Sequence, residues 1–193
     1  MRKKNIRAFT AVGLLSASSY LLMLLNFPIP PFPSFLMIDF SDIPALIAAL
    51  VFGPMAGILV ELIKNVLDFF MTGSPTGVPV GHLANFVAGI TFILPVYYIH
   101  EKFKSKTGLT GALFAGTAAM AIIMSVLNYY VILPAYTIFL NAPAMSAPET
   151  KQLVITAILP FNFVKGILLA TVFLLLYARI HIWMKKQNLA QSA

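Results

Sequence analysis

The chain has 193 residues, of which 60% are hydrophobic and only 10% are charged. A soluble domain normally carries about a quarter charged residues, so the composition excludes a string of soluble domains and indicates one membrane-embedded domain over residues 1–193. The absence of cysteine excludes disulfide bonds, thiolate metal sites and cysteine nucleophiles.

Apolar segments long enough to form helices follow one another along the chain. A bilayer core about 30 Å thick requires roughly 20 apolar residues per helix. In chain order the predicted spans are 8–26, a short one that opens at Ser41 or Asp42 and ends at Phe52, then 54–71, 80–100, 109–134 and 152–183. The segment 27–33 contains too many prolines to be helical, and we expect protein or this loop to cover the short second span.

Basic residues mark the ends of the spans. The net charge is +7, and ten of the thirteen basic residues form three clusters: Arg2, Lys3, Lys4 and Arg7; Lys102, Lys104 and Lys106; and Arg179, Lys185 and Lys186. Six crossings place all three clusters on one face, which the positive-inside rule makes cytoplasmic. The sequence therefore predicts an all-α membrane protein, a six-transmembrane-helix bundle with cytoplasmic N- and C-termini. This placement indicates topology and not a nucleic-acid-binding surface.

Polar side chains within the spans concentrate towards the outer face, where the acidic residues Asp39, Asp42 and Glu149 also lie. From the helical rise, Lys165 lies about 27 Å and Asn85 about 22 Å from the cytoplasmic end of its span. Asn162 lies one turn further out than Lys165, and Asn128 is also close to the outer boundary. A channel or proton relay would need polar groups at every depth. The sequence therefore predicts a pocket that opens to one side.

Glu61, Lys64 and Asp68 have i, i+3 and i+7 spacing on the third span. They either neutralise one another on one helix face or contact a ligand, and the spacing leaves both interpretations open.

The remaining polar residues also have two interpretations. Asn85 and Asn128 either bind a ligand or form hydrogen bonds between helices. Lys165 has no acidic residue one turn away, so it either pairs across the bundle or meets a ligand, and we favour the ligand.

Catalytic and metal-binding patterns are missing from the sequence. His82 and Asp68 lack a third candidate metal ligand, so no metal site is predicted. The three histidines are distributed over both predicted membrane faces and form no constellation with aspartate, which argues against a membrane enzyme.

Gly13 and Ala17 form a small-xxx-small pair in the first span. Such a pair allows a second helix to approach closely. Its spacing does not decide whether that helix belongs to this bundle or to another protein.

Several longer motifs carry a family resemblance. They are 35–44 (FLMIDFSDIP) after the proline-rich loop, 52–57 (FGPMAG) leading into 61–65 (ELIKN), 79–86 (PVGHLANF) and 159–166 (LPFNFVKG). Over nearly its whole length the chain resembles the substrate-binding S components of energy-coupling factor (ECF) transporters, specifically the riboflavin-binding, RibU-like branch. The Pro-Phe-Asn-x-x-Lys run in the last span is the more riboflavin-specific signal.

The resemblance implies a non-enzymatic six-helix bundle in the bacterial plasma membrane that takes riboflavin from outside as its transported ligand, with no cofactor. It also implies association with a transmembrane coupling protein and two cytoplasmic ATPases, the small residues Gly13 and Ala17 being the contact with the coupling protein. Asn128, Asn162 and Lys165 would hydrogen-bond the flavin, and Met37 would belong to the lid.

The full predicted substrate-binding set adds residues from the other polar positions and motifs: Asn85, Asp68, Lys64, Glu61, Val80 and Gly81. Amides and one lysine suit the uracil-like edge and hydroxylated tail of neutral riboflavin. One positive residue makes a weak phosphate site, so we expect riboflavin to bind more tightly than flavin mononucleotide. There are two alternatives. One is an S component for another vitamin, and the other is a self-sufficient secondary transporter with Glu61 and Asp68 as coupling carboxylates.

Overall fold

The computed structural model describes residues 2–141 and 143–192, with the side chains of 2–5, 7, 178 and 180–192 left out of the description. Six of the basic side chains used to predict the orientation lie outside the described part of the structure: Arg2, Lys3, Lys4, Arg7, Lys185 and Lys186. The side chain of Trp183 also lies outside it. The predicted orientation therefore stays a prediction.

The described chain is mostly helical. Its helices are α1 (Arg2–Leu24), α2 (Asp42–Phe52), α3 (Pro54–Thr72), α4 (Val80–Lys102), α5 (Lys106–Leu127), α6 (Leu133–Phe139), α7 (Ala147–Leu153) and α8 (Leu159–Ser192). A first π-helical segment (Asn128–Ile132) joins α5 to α6, and a second (Val154–Ile158) joins α7 to α8.

Three helical stretches among the described residues are long and apolar enough to cross a membrane: Val80–Lys102, Lys106–Phe139 and Ala147–Tyr177. Ala8–Leu24 and Asp42–Phe52 are shorter apolar helices. The 19-residue α3 carries Glu61, Lys64 and Asp68, which lower its hydropathy.

The boundaries of α2, α3 and α4 match the predicted spans closely, whereas the fifth and sixth spans are longer than predicted. Pro134 does not end the fifth span, because the π segment before it shifts the backbone hydrogen bonds to a wider register and Leu133 N–H donates to Asn128 O. The sixth begins at Ala147, where Ser146 and Glu149 form a capping box.

Small residues set the distances between the helices. The Cβ of an alanine at Gly57 would lie 2.8 Å from Ala49 Cβ, so α2 and α3 touch at that point. Gly116 brings α5 against the backbone of α4, and Gly166 brings α8 against Thr117 of α5. This is the close packing that membrane helices use when lipid removes the hydrophobic drive between them.

Residues 27–38, here named the covering loop, lie over one end of the bundle, here named the covered end. Two short antiparallel strands, β1 (Phe27–Pro28) and β2 (Met37–Ile38), close the loop, and the sequence did not predict them. The Phe32 ring stands edge-on to Phe161 of α8 at 5.5 Å. Ile38 is fully buried, so the loop is anchored in the protein core at one end.

We expect Gly116→Ala to destabilise the bundle by about 1–3 kcal/mol, because the new methyl group would lie 2.6 Å from the Phe92 carbonyl oxygen. Gly111→Ala in the same helix is the control, since that position faces open space and alanine is the better helix former. Thermal unfolding in detergent measures both variants. An unchanged melting temperature for Gly116→Ala would contradict the α4–α5 packing described here.

Candidate functional site

A buried polar cluster near the covered end is centred on Lys64. The Lys64 cluster consists of Asp39, Ser41, Asp42, Glu61, Lys64 and Lys165, and each residue is at most 4% exposed. Its members come from the segment between β2 and α2, from the first residue of α2, from α3 and from α8. The cluster therefore joins elements that are far apart in the chain.

All three ammonium protons of Lys64 have acceptors. Nζ donates to Ser41 Oγ at 2.7 Å, to Asp42 Oδ1 at 2.5 Å and to Glu61 Oε1 at 3.0 Å. An ammonium has three donors and no acceptor. Lys64 therefore has no donor left for a ligand, and the structure supports the structural interpretation of Glu61 and Lys64.

Ser41 and Asp39 connect the cluster to the first helix. Ser41 donates through both its backbone N–H, at 2.8 Å, and its hydroxyl to Asp39 Oδ1. Ser19 of α1 donates to the Ser41 carbonyl oxygen at 2.5 Å. Asp39 and Asp42 lie at the predicted end of the bundle, but they are buried and not part of a water-facing loop surface.

Lys165 lies on the other side of the cluster. Its Nζ is 3.5 Å from Asp39 Oδ2 and 3.6 Å from Asp42 Oδ2. Pairing across the bundle, the alternative that we favoured less, is therefore present in the structure. Contact between Lys165 and a ligand remains a prediction.

Asp68 does not pair with Glu61 or Lys64. The interpretation in which all three residues neutralise one another on one helix face is therefore wrong. Its Oδ1 accepts from Thr72, and its Oδ2 lies 3.0 Å from His82 Nε2 in the first turns of α4. The His82 ring also stands edge-on to Phe69 at 5.5 Å. Asp68 thus links α3 to α4, and no three His, Asp or Glu side chains in the described ranges are arranged to hold a metal ion.

The predicted amides have free hydrogen-bonding capacity: Asn128 and Asn162 are buried, and Asn85 is half-buried. Asn128 Nδ2 donates to Met124 O and Asn162 Nδ2 donates to Ile158 O, both at 2.8 Å. Each amide group has two donors and an acceptor, and for both asparagines the described chain supplies no partner to the side-chain oxygen. The Asn85 Oδ1 atom is buried without a hydrogen bond. A buried acceptor such as Asn85 Oδ1 is rare unless water or a ligand satisfies it.

The two π-helical segments contact each other, and these amides lie beside them. Asn128 begins the first segment, and Asn162 bonds the last carbonyl of the second. A π segment is energetically unfavourable and occurs frequently at functional sites. The sequence did not predict either segment, because both lie within continuous apolar stretches.

Val80 and Gly81 lie at the start of α4, beside the first π segment. A Cβ on Gly81 would be 2.8 Å from Tyr136 Oη, so glycine allows α4 to approach α6. Gly81 and Asn85 are separated by one helical turn, which places both on one face of α4. The free Asn85 oxygen therefore lies on the face that approaches α6, the helix that follows the first π segment.

Met37, the predicted lid residue, is 41% exposed in β2 and is not packed into the core. The covering loop instead contacts the bundle through Phe32 and Leu36, and Leu36 packs against Leu133, Val154 and Ile158. The lid role of the loop is thus supported by the residues around Met37.

A cavity of about 340 Å³ lies between α6 and α7, lined by residues that include Tyr129, Leu133, Thr137, Met145 and Thr150. Its volume is within the range of small-molecule pockets. None of the predicted substrate-binding residues lines it. Tyr129 and Leu133 also belong to the apolar group beneath the covering loop, so the cavity adjoins the amide site.

The small residues of α1 face away from the bundle. Gly13 and Ala17 are exposed, and a Cβ at Gly13 would meet no atom within 4 Å. Ser16 and Ser19, on the inward-facing side of the helix, are buried. Among the described residues, no helix of this chain packs closely against Gly13.

We expect Lys64→Met to destabilise the protein by about 3–5 kcal/mol, because it leaves buried carboxylates without their main cation. Lys104→Met is the matched control: its ammonium lies 3.1 Å from Glu101, but that pair is exposed to solvent. Yield and melting temperature in detergent measure the difference. Equal melting temperatures for the two variants would show that the Lys64 cluster does not hold the bundle together.

Comparisons with known proteins agree with this geometry. The family model of the ECF transporter substrate-specific component matches residues 7–177. The riboflavin transporter FmnP of Bacillus subtilis is 51% identical over 96% of this chain and 98% of its own length. The riboflavin transporter RibU of Staphylococcus aureus is 41% identical over 95% of each chain.

A solved structure of the S component of a bacterial ECF transporter superposes with a TM-score of 0.80, at 38% identity, over 94% of this chain and 99% of that one. The family and its relatives are transport proteins, which confirms the prediction that the chain is not an enzyme. The chain belongs to the family of ECF transporter substrate-specific components.

Proposed function

We propose that this chain is the riboflavin-binding S component of an ATP-driven ECF transporter, and that the flavin binds beneath the covering loop. The observation that carries the proposal is a group of three amides near the two π segments, whose side-chain oxygens have no hydrogen-bond partner among the described residues. Asn128, Asn162 and Asn85 would bind the uracil-like edge or the ribityl hydroxyls. The relatives named as riboflavin transporters support this choice of vitamin.

The proposed topology has six spans, with both termini in the cytoplasm of a bacterial cell and the covered end outside. The stretches Val80–Lys102, Lys106–Phe139 and Ala147–Tyr177 provide three spans, and α1, α2 and α3 the others. The short α2 is buried along most of its length, so protein and not lipid would cover it. The exposed cationic side chains of Lys102, Lys104 and Arg179 support this orientation.

The charge around the site supports a neutral ligand. Lys165 and Lys64 are the buried cations near the covered end, and both already face carboxylates. A phosphate ester would meet three buried carboxyl groups and no unpaired cation among the described residues of the Lys64 cluster. Riboflavin is therefore the expected ligand in preference to flavin mononucleotide.

The proposed partners are a transmembrane coupling protein and two cytoplasmic ATPases. The exposed face of α1 with Gly13 and Ala17 supports such a contact, because small residues allow a second helix to pack closely against it. The same helix holds the Lys64 cluster through Ser19 on its other face. One helix would thus contact both the partner and the interior that supports the binding site.

We expect Asn162→Ala to weaken riboflavin binding by about 1–3 kcal/mol, or roughly 5- to 150-fold in Kd, through the loss of a buried hydrogen bond. Thr171→Ala is the control on the same helix, since Thr171 makes a comparable bond to the Ile167 carbonyl but is exposed. Titration of riboflavin into the purified protein, followed by flavin fluorescence, measures both. Wild-type protein without affinity for riboflavin would refute the proposal and would favour an S component for another vitamin.

We expect Gly13→Leu to retain riboflavin binding and abolish ATP-dependent uptake, because the leucine side chain would fill the space that the partner helix needs. Gly111→Leu, at another glycine with open surroundings, is the control and should preserve uptake. Binding is measured on the purified protein, and uptake in cells that express the coupling protein and the ATPases. Uptake that persists without any ATPase partner would favour a secondary transporter instead.

A further inference from the structure

The Lys64 cluster contains more acids than bases. Asp39, Asp42 and Glu61 face only Lys64 and Lys165, so full ionisation would leave one negative charge in a region that excludes water. We infer that the cluster holds one proton on Glu61, so that the cluster is neutral. The protonated Glu61 carboxyl group then donates a hydrogen bond to Asp42. This proton site lies beyond the riboflavin site and does not depend on the identity of the ligand.

Two carboxyl oxygens of the cluster lack a hydrogen bond. Lys64 uses its three protons on Ser41, Asp42 and Glu61. Asp42 Oδ2 and Glu61 Oε2 are buried without a hydrogen bond, although Lys165 Nζ lies 3.6 Å from the first and Lys64 Nζ 2.9 Å from the second. The two carboxyl groups contact the same ammonium, with Asp42 Oδ1 at 2.5 Å and Glu61 Oε2 at 2.9 Å from Lys64 Nζ. A proton on one of them supplies the missing donor, and two ionised carboxylates at that separation would repel each other.

Glu61 is the carboxyl group with the least support for a negative charge. Asp39 accepts two hydrogen bonds from Ser41 and faces Lys165. Asp42 contacts Lys64 at 2.5 Å and also faces Lys165 at 3.6 Å. Glu61 has only its share of the Lys64 ammonium, at 2.9 Å from Oε2. The proton therefore belongs on Glu61.

The elements around Glu61 bring no further cation to it. Lys64 lies on its own helix, and Asp42 reaches it from α2, with Asp39 and Lys165 further away in the cluster. From α4 it meets Gly89, whose missing side chain leaves the space that the Glu61 carboxyl group occupies. The described acidic side chains do not form a three-ligand metal site. A bound proton is the species that fits this space.

A neutral Glu61 has a structural role in the transporter. Glutamine has the same shape as protonated glutamic acid and can donate to Asp42 through its amide N–H. In a proton-driven secondary transporter, Glu61 would need to gain and lose its proton. A Glu61 that stays protonated is consistent with an energy source outside this chain.

Infrared spectroscopy of the purified full-length chain, combined with thermal unfolding, tests the inference. Wild-type protein at neutral pH should show the C=O stretching band of a protonated carboxylic acid. Glu61→Gln should lose that band, with its melting temperature unchanged. Glu101→Gln, at the exposed end of α4, is the control and should keep the band.

Asp42→Asn provides a second, independent variant. It removes the excess negative charge, so Glu61 should ionise against Lys64 and the band should disappear although Glu61 is still present. This variant decides the question if Glu61→Gln does not accumulate.

Three results would overturn the inference. They are a wild-type protein without the band, a band that survives both Glu61→Gln and Asp42→Asn, or a wild-type melting temperature that rises with sodium concentration while that of Glu61→Gln does not. The last result would assign the site to a bound cation.

Discussion

Two buried lysines compensated by three buried acids form the constraint on which the rest of the structure depends. A charge inside an apolar bundle costs several kcal/mol unless partners surround it. Lys64 and Lys165 can be buried only where α2, α3 and the root of the covering loop supply Asp42, Glu61 and Asp39 together. Ser19 adds α1 to this network. The positions of these elements relative to one another are therefore fixed at the Lys64 cluster.

The binding site and the partner surface are both arranged around this point. On one side, Lys165 and Asn162 lie one turn apart on α8, so the cluster fixes the height of the amides beside the π segments. On the other side, burial of Ser16 and Ser19 turns Gly13 and Ala17 towards the surface. A loop held at Asp39 can close over a ligand while the bundle beneath it stays in place.

The sequence was informative where a local rule determines the structure. Gly53–Pro54 separates α2 from α3, and the helical rise placed Asn128, Asn162 and Lys165 towards one end. The sequence was uninformative where the structure depends on partners that are distant in the chain. Lys165 and Asp39, for example, are 126 positions apart. The π segments left no trace in the apolar pattern, and the short strands of the covering loop have no alternating pattern to detect. The Ser146–Glu149 capping box could have been recognised from its spacing.

A structure of the protein determined with riboflavin bound tests the central claim most directly. The flavin should lie beneath the covering loop, beside the two π segments, within hydrogen-bonding distance of the Asn128 and Asn162 amides, with the Lys64 cluster intact behind it. Flavin density confined to the cavity between α6 and α7, beside Thr137 and Met145, would contradict the proposed site.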